Sequence, residues 1–168
     1  MPKWLRRFRK SIVSRTGWGA AHARLYAMLQ PQNDVFIHHS VTYPPRWGRR
    51  KQAAHTRMID EFHRGSRGMS TIAYSFLIYP NGRVHEGRGW GVIGGHTRGH
   101  NESSHAICFT GNFEEQKPTR KAIRSARKLI KLGHKLGYIG KPRIWAHRDV
   151  GSTACPGQRL YDRLGDLR

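Results

Sequence analysis

The 168-residue chain has little of three things. It has two cysteines, Cys108 and Cys155, too few for a disulfide framework. It has no apolar run of about 18 residues, which excludes a membrane-spanning helix. It has ten acidic residues against 31 basic ones, for a net charge of +21. Repeats and Gly/Ser linkers are also missing. What is present fits one globular domain: 37% hydrophobic and 10% aromatic residues, at a length that buries most of its unfolded surface.

The excess charge is concentrated at the two ends. Residues 1–51 hold eleven basic residues and one acidic, residues 52–116 six of each, and residues 117–168 fourteen and three. A chain this basic is drawn to polyanions: nucleic acid, anionic lipid or an anionic cell wall. The neutral middle implies that any specific site is separate from the basic shell. The start, MPKWLRRFRKS, has the positive flank of a signal peptide without its apolar core, so synthesis in the cytoplasm is expected. Trp4, Leu5, Phe8 and Ile12 can share one helix face opposite Arg6, Arg7, Arg9 and Lys10. Two readings of residues 1–11 stay open: a basic arm for an anionic surface, or a short segment docked on its own domain.

Pattern and punctuation give the elements. A short helix is expected within 18–29, and strands at 34–42, 70–80, 105–113 and 143–150. Asn81-Gly82 marks a hairpin whose return strand is RVHEGRG. Helices are expected over 51–64, with Ala54, Met58, Ile59 and Phe62 inward, and over 120–136, capped by Thr119. A last helix starts near Pro156 and carries Leu160, Leu164 and Leu167. Residues 87–102, rich in Gly and His, read as a functional loop. Interleaved strands and helices make the class α/β, a single domain with a central mixed sheet flanked by helices.

HRDVGSTACPG (147–157) carries the most chemistry. His147 and Cys155 offer the nitrogen and sulfur that zinc accepts, and a catalytic zinc needs a third protein ligand and an open position. His38 or His39 supplies it; neighbours in a strand face opposite ways, so only one can. Cys108 reads as a buried inert thiol, and His22, His55 and His134 as surface residues.

Six stretches, IVSRTGWGA (12–20), FIHHSVT (36–42), MIDEFHRGSRGMSTIAYSFLIYPNGRVHEGRGW (58–90), GGHTRGHN (94–101), CFTGNFEEQKPT (108–119) and HRDVGSTACPG (147–157), resemble the zinc-dependent N-acetylmuramoyl-L-alanine amidases. This is the family shared by bacteriophage lysozyme-amidases and peptidoglycan recognition proteins. The resemblance implies the recognition-protein fold over residues 12–168, one Zn2+ held by His38, His147 and Cys155, and Tyr74 and Thr153 as catalytic residues. It places His63, Arg67, His96 and Asn101 against the muramyl-peptide, and Trp90 is counted with them as substrate-binding. The implied reaction is hydrolysis of the amide between N-acetylmuramic acid and L-alanine in bacterial peptidoglycan. The chain keeps the zinc cysteine that non-catalytic receptors commonly lose and has no cysteines near 51–64, where many animal members carry a disulfide. Both features favour a bacterial or phage enzyme over an immune receptor; with no signal-peptide core at the start, the expected role is a phage endolysin, made in the host cytoplasm and acting as a monomer on the cell wall. Anionic wall polymers or an anionic membrane would meet the basic ends, and no specific nucleic acid is expected. The alternatives are a non-catalytic peptidoglycan receptor and a cytosolic amidase recycling anhydro-muropeptides.

Overall fold

A computed structural model describes residues 1–168. Five strands form one mixed sheet: β1 (Gln32–His39), β2 (Phe76–Ile78), β3 (Val84–Glu86), β4 (Ser104–Phe109) and β5 (Ile139–Ala146), in the order β3-β2-β4-β1-β5. All neighbours pair in parallel except the β2–β3 hairpin at one edge. The helices are α1 (Lys3–Ser11), α2 (Arg15–Trp18), α3 (Arg49–Arg67), α4 (Arg120–Lys135) and α5 (Gln158–Tyr161).

The two faces of the sheet differ because side chains alternate along each strand. From β1, Val35 and Ile37 face α4 and join Phe76, Ile107, Phe109 and Leu129 in the main core of 17 buried residues. His38, next to Ile37 in the alternation, belongs to the opposite face. There Ile59 of α3 packs with Ile72, Leu77 and Cys108 in a cluster of only four. Parallel strands buried on both faces read as unbroken apolar runs, which is why β1 and β4 stand out in the sequence.

Helix α4 is built as its pattern requires. The Thr119 hydroxyl accepts from the Ala122 N–H at 3.1 Å, and Ala122, Ile123, Ala126, Leu129 and Ile130 are buried. Helix α3 is not. Its buried residues are Gln52, His55, Thr56, Ile59, Asp60 and His63, while Met58 and Phe62 are exposed. The expected apolar stripe therefore fails except at Ile59. His55, expected at the surface, is buried between the Tyr79 hydroxyl and the Thr42 hydroxyl, each at 3.0 Å. Asp60 is buried too, accepting from the Thr71 hydroxyl at 2.6 Å and the Ile72 N–H at 2.7 Å. This face packs by hydrogen bonds where α4 packs by apolar contact.

Three other expectations change. No helix spans 18–29: α2 stops at Trp18, because Gly19 turns left-handed at φ 79° as its C-cap. The strand expected over 70–80 is confined to Phe76–Ile78, since residues 70–75 arch over α3 to bond Asp60 and His63. The last helix breaks into α5 and a 3-10 turn at Leu164–Leu167, which still bury Leu160 and Leu167. At the N-terminus, α1 is docked: Leu5 is 1% exposed, and Phe8 and Ile12 pack on the main core. The next residues pair with β3, Val13 N–H donating to the Val84 carbonyl at 2.9 Å.

Candidate metal and substrate site

Ligand sites in open parallel sheets lie beyond the carboxyl ends of the strands. The histidines and Cys155 gather there. His38 sits near the end of β1, and His147 follows β5 directly in a 3-10 turn. That turn is held by Asp149, whose carboxylate accepts from the Ala146 N–H at 2.7 Å, so Asp149 shapes the loop. The loop folds back, with Arg148 N–H donating to the Cys155 carbonyl at 2.8 Å, and this brings Cys155 beside β1.

The result is a cluster whose donor atoms, one each from His38, His147 and Cys155, all lie within 4.8 Å of one another. His38 Nδ1 and Cys155 Sγ are 3.6 Å apart, close to the spacing of neighbouring ligands around one tetrahedral zinc. The opposite nitrogen of His38, Nε2, lies 3.3 Å from the Thr97 hydroxyl. A proton donated there leaves the Nδ1 lone pair facing the cluster, an arrangement typical of metal-binding histidines. Burial, then the neighbouring His96 and His147, hold the His38 pKa well below 6.5. Burial also lowers that of His147. Both rings are therefore neutral, as ligands must be. Burial pushes the Cys155 thiol up to about 11, opposed by the His39 backbone N–H, which donates to Sγ at 3.4 Å. Two neutral imidazoles and a sulfur, with no carboxylate, suit zinc and not magnesium or calcium. The residues present thus fit the metal that the sequence predicts, with His38 as the third member. His39 lies on the other side of the strand and stacks on Phe113.

The cluster opens onto a groove of about 710 Å³. Its walls include Tyr74, Thr153, His63, Arg67 and His96, five of the residues singled out from sequence. Tyr74 packs its ring 5.2 Å from that of His38, and burial, then the nearby thiols, keep its phenol protonated far above neutral pH. Thr153 is exposed; its hydroxyl oxygen accepts from the Cys155 N–H at 3.2 Å, leaving its own proton free to donate. His63 Nδ1 accepts from the Ala73 N–H at 3.2 Å, which places the ring proton on Nε2. Burial, outweighing Asp60, lowers its pKa to about 4, so it is neutral. Arg67 lies over the Phe62 ring at 5.6 Å. His96 is 7% exposed with Nε2 unpartnered, and burial takes its pKa to about 3. Only glycine fits at 94, since a Cβ there would meet the His96 ring at 2.3 Å.

Two residues singled out from sequence are not among the groove walls. Trp90 is not in the groove. It packs on the α4 side, its ring 4.7 Å from that of Phe76 and stacked on Tyr138, which precedes the start of β5, the end of the sheet away from His147. The Gly-rich loop that suggested a binding role turns this indole into the core. Asn101 acts through the backbone: its Oδ1 accepts from the His96 N–H at 2.7 Å and the Thr97 N–H at 2.9 Å, fixing the turn that carries both residues. Thr97, which touches His38 and His96, has no sequence signal of its own. Met58 and Phe62 line the groove as well. Their exposure, opposite a polar buried face, becomes legible only with the buried set in hand.

Comparison with known proteins places the chain in a family and matches its fold. The family model for N-acetylmuramoyl-L-alanine amidase matches residues 28–158. A human N-acetylmuramoyl-L-alanine amidase is 33% identical over 159 residues, covering 92% of this chain and 28% of its own length. Peptidoglycan-recognition protein LE of Drosophila melanogaster is 35% identical over 160 residues, covering 92% of this chain and 45% of its own. The chain therefore spans less than half the length of these two curated relatives. A solved structure of peptidoglycan recognition protein-LE in complex with tracheal cytotoxin, a monomeric diaminopimelic acid-type peptidoglycan, superposes with a TM-score of 0.88 at 34% identity, covering 92% of both chains. With the family model matching most of its length, the chain belongs to the N-acetylmuramoyl-L-alanine amidase family.

Proposed function

We propose that the chain is a zinc-dependent amidase that cleaves the bond between N-acetylmuramic acid and L-alanine in bacterial peptidoglycan. The observation that carries this is the His38–His147–Cys155 cluster at the base of a groove that also holds Tyr74 and Thr153. His38, His147 and Cys155 would hold a zinc ion, which would supply Lewis acidity toward the scissile carbonyl and a water. The chain's own groups do the rest. Tyr74, a half-buried protonated phenol in the groove wall, donates to the carbonyl oxygen as charge develops on it, and Thr153 donates from the solvent side. His63 presents an Nε2–H and Arg67 a cation, which hold the carbonyls and carboxylate of the stem peptide. Met58 and Phe62 give the groove an apolar wall that excludes water from one side of the peptide. Tracheal cytotoxin bound to the LE relative supports a muramyl-peptide as the ligand class.

The same reading includes an endolysin role: the enzyme accumulates in a host cytoplasm and acts on the wall once the membrane is breached. The retained Cys155 favours catalysis over recognition alone, although recognition proteins among the relatives make non-catalytic binding the second reading. Release of L-alanine amino groups from purified peptidoglycan, with and without a chelator, separates the two. Amine release that stops with chelator is expected. Tight binding to peptidoglycan without any amine release would establish the receptor instead.

A further inference from the structure

Helices α1 and α4 touch along one side of the molecule, away from the groove. Between them they carry twelve Lys and Arg residues and no Asp or Glu. On α4, Lys121, Arg124, Lys128 and Lys131 recur once per turn along one face, about 5–6 Å apart. A shallow depression there is walled by Trp4 and four α4 cations alone. The row continues past Trp47, whose ring lies 5.4 Å from the Lys121 ammonium, into a cavity of about 660 Å³ between α1, the start of α3 and the hairpin. Lys10, Arg49 and Arg83 line that cavity, and no carboxylate does. His85, also in its wall, is 1% exposed and leaves Nε2 without a partner.

The start of α3 adds a second anomaly. Its first turn reads RRK, its Gly48 cap makes no side-chain bond, and no acid accompanies the cations. Cations at a helix N-terminus oppose the helix dipole, and its free N–H groups favour an anion. Cations repelled by one another and by a dipole are an arrangement that a phosphate chain relieves.

We infer that this face is a track for a linear phosphodiester polymer, anchored in the Lys10–Arg49–Arg83 cavity and running along Lys121, Arg124 and Lys128. The occupant is a polyol-phosphate chain of the bacterial wall; this part rests on the proposed wall substrate. Two features favour it over other polyanions. Leu5 of α1 is buried and Phe8 and Ile12 pack on the main core, which leaves Trp4 as the one exposed apolar side chain of the helix, too little for insertion into a bilayer. The exposed Trp47 ring already has Arg46 and Lys121 against it, which leaves it unsuited to stacking nucleobases. A wall-bound track would raise the local concentration of groove and glycan together.

The test is a binding titration of soluble poly(glycerol phosphate), between about 50 and 200 mM salt, with the parent protein and with Lys121→Gln/Arg124→Gln/Lys128→Gln. The parent is expected to show a steep log-log salt slope. The triple variant is expected to show a slope smaller by about two, at about 0.7 for each phosphate that no longer meets a cation. Cleavage of a soluble muropeptide by the variant is expected to equal that of the parent. Equal binding by parent and variant would overturn the track. So would tighter binding to single-stranded DNA of matched charge or to phosphatidylglycerol vesicles, which would assign the face to nucleic acid or membrane. Polymer binding as described by a protein that cleaves no muropeptide would remove the amidase reading and keep the track; cleavage without polymer binding does the reverse.

Discussion

Helices α3 and α4 cover opposite faces of the same sheet and are built on opposite principles. Helix α4 buries Ala122, Ile123, Ala126, Leu129 and Ile130 against the main core, and its outer face is free to be basic. Helix α3 buries Gln52, His55, Thr56, Asp60 and His63, and its outer face carries Met58 and Phe62 into the groove. Apolar burial is non-directional and roughly proportional to area, so it stabilises without fixing any one atom. Hydrogen-bonded polar burial contributes less net stability but sets directions, as where Ala73 fixes the His63 tautomer. The α4 side supplies stability, and the α3 side supplies geometry.

Substitutions can break that comparison. The largest effects fall on activity at the groove. Cys155→Ala or His38→Ala is expected to abolish amide cleavage, and Tyr74→Phe to lower kcat by roughly 100–1000-fold, the cost of losing one oxyanion donor. A thermal melt of Tyr74→Phe should stay close to that of the parent. On the α4 side the pattern reverses: Leu129→Ala should cost about 2–5 kcal/mol in a denaturant titration, with kcat kept while the protein is folded. Asp60→Ala lies between, leaving the Thr71 hydroxyl proton and the Ile72 N–H without their acceptor at a cost of about 1–3 kcal/mol and loosening the segment that holds His63. A large loss of cleavage from Leu129→Ala in the folded state would defeat the division of labour.

Acid should act through the polar interior. Burial lowers the pKa of His63, His85 and His105 to about 4, against 6.5 for the free side chain. Between these values the unfolded chain binds more protons than the folded one, so stability rises with pH. The melting temperature should therefore be highest above about pH 6.5, fall as the pH drops toward about 4, and go on falling toward about 3, where His96 also takes up a proton. The smallest effect is expected at Phe62→Ala, half exposed, which should move stability by less than about 0.5 kcal/mol while raising KM for muramyl-peptides.

The same contrast decides what the sequence makes legible. The runs of β1 and β4, the Thr119 cap and the α4 stripe follow from local pattern, and the structure has each of them. His38, His147 and Cys155 can be named from zinc chemistry and the resemblance, but spacing alone leaves His39 open; strand alternation in the fold separates them. The α3 side is poorly legible because its buried residues are polar, and hydropathy assigns them outward. His55 and Asp60 have partners 11 to 24 residues away, which no local window contains. Trp90 misleads for the opposite reason: a Gly-rich loop signals function, while the indole it carries fills a space beside Gly133. Asn101 has the right neighbourhood, and its bonds to backbone show it as the support of His96.

The most direct test of the central claim is zinc stoichiometry measured alongside amide cleavage, in the parent protein and in Cys155→Ser. One zinc per chain in the parent, lost together with cleavage in a Cys155→Ser protein that still melts cooperatively, is the predicted result. A folded parent that binds no zinc, or a zinc-free Cys155→Ser variant that still releases L-alanine amino groups, would contradict it.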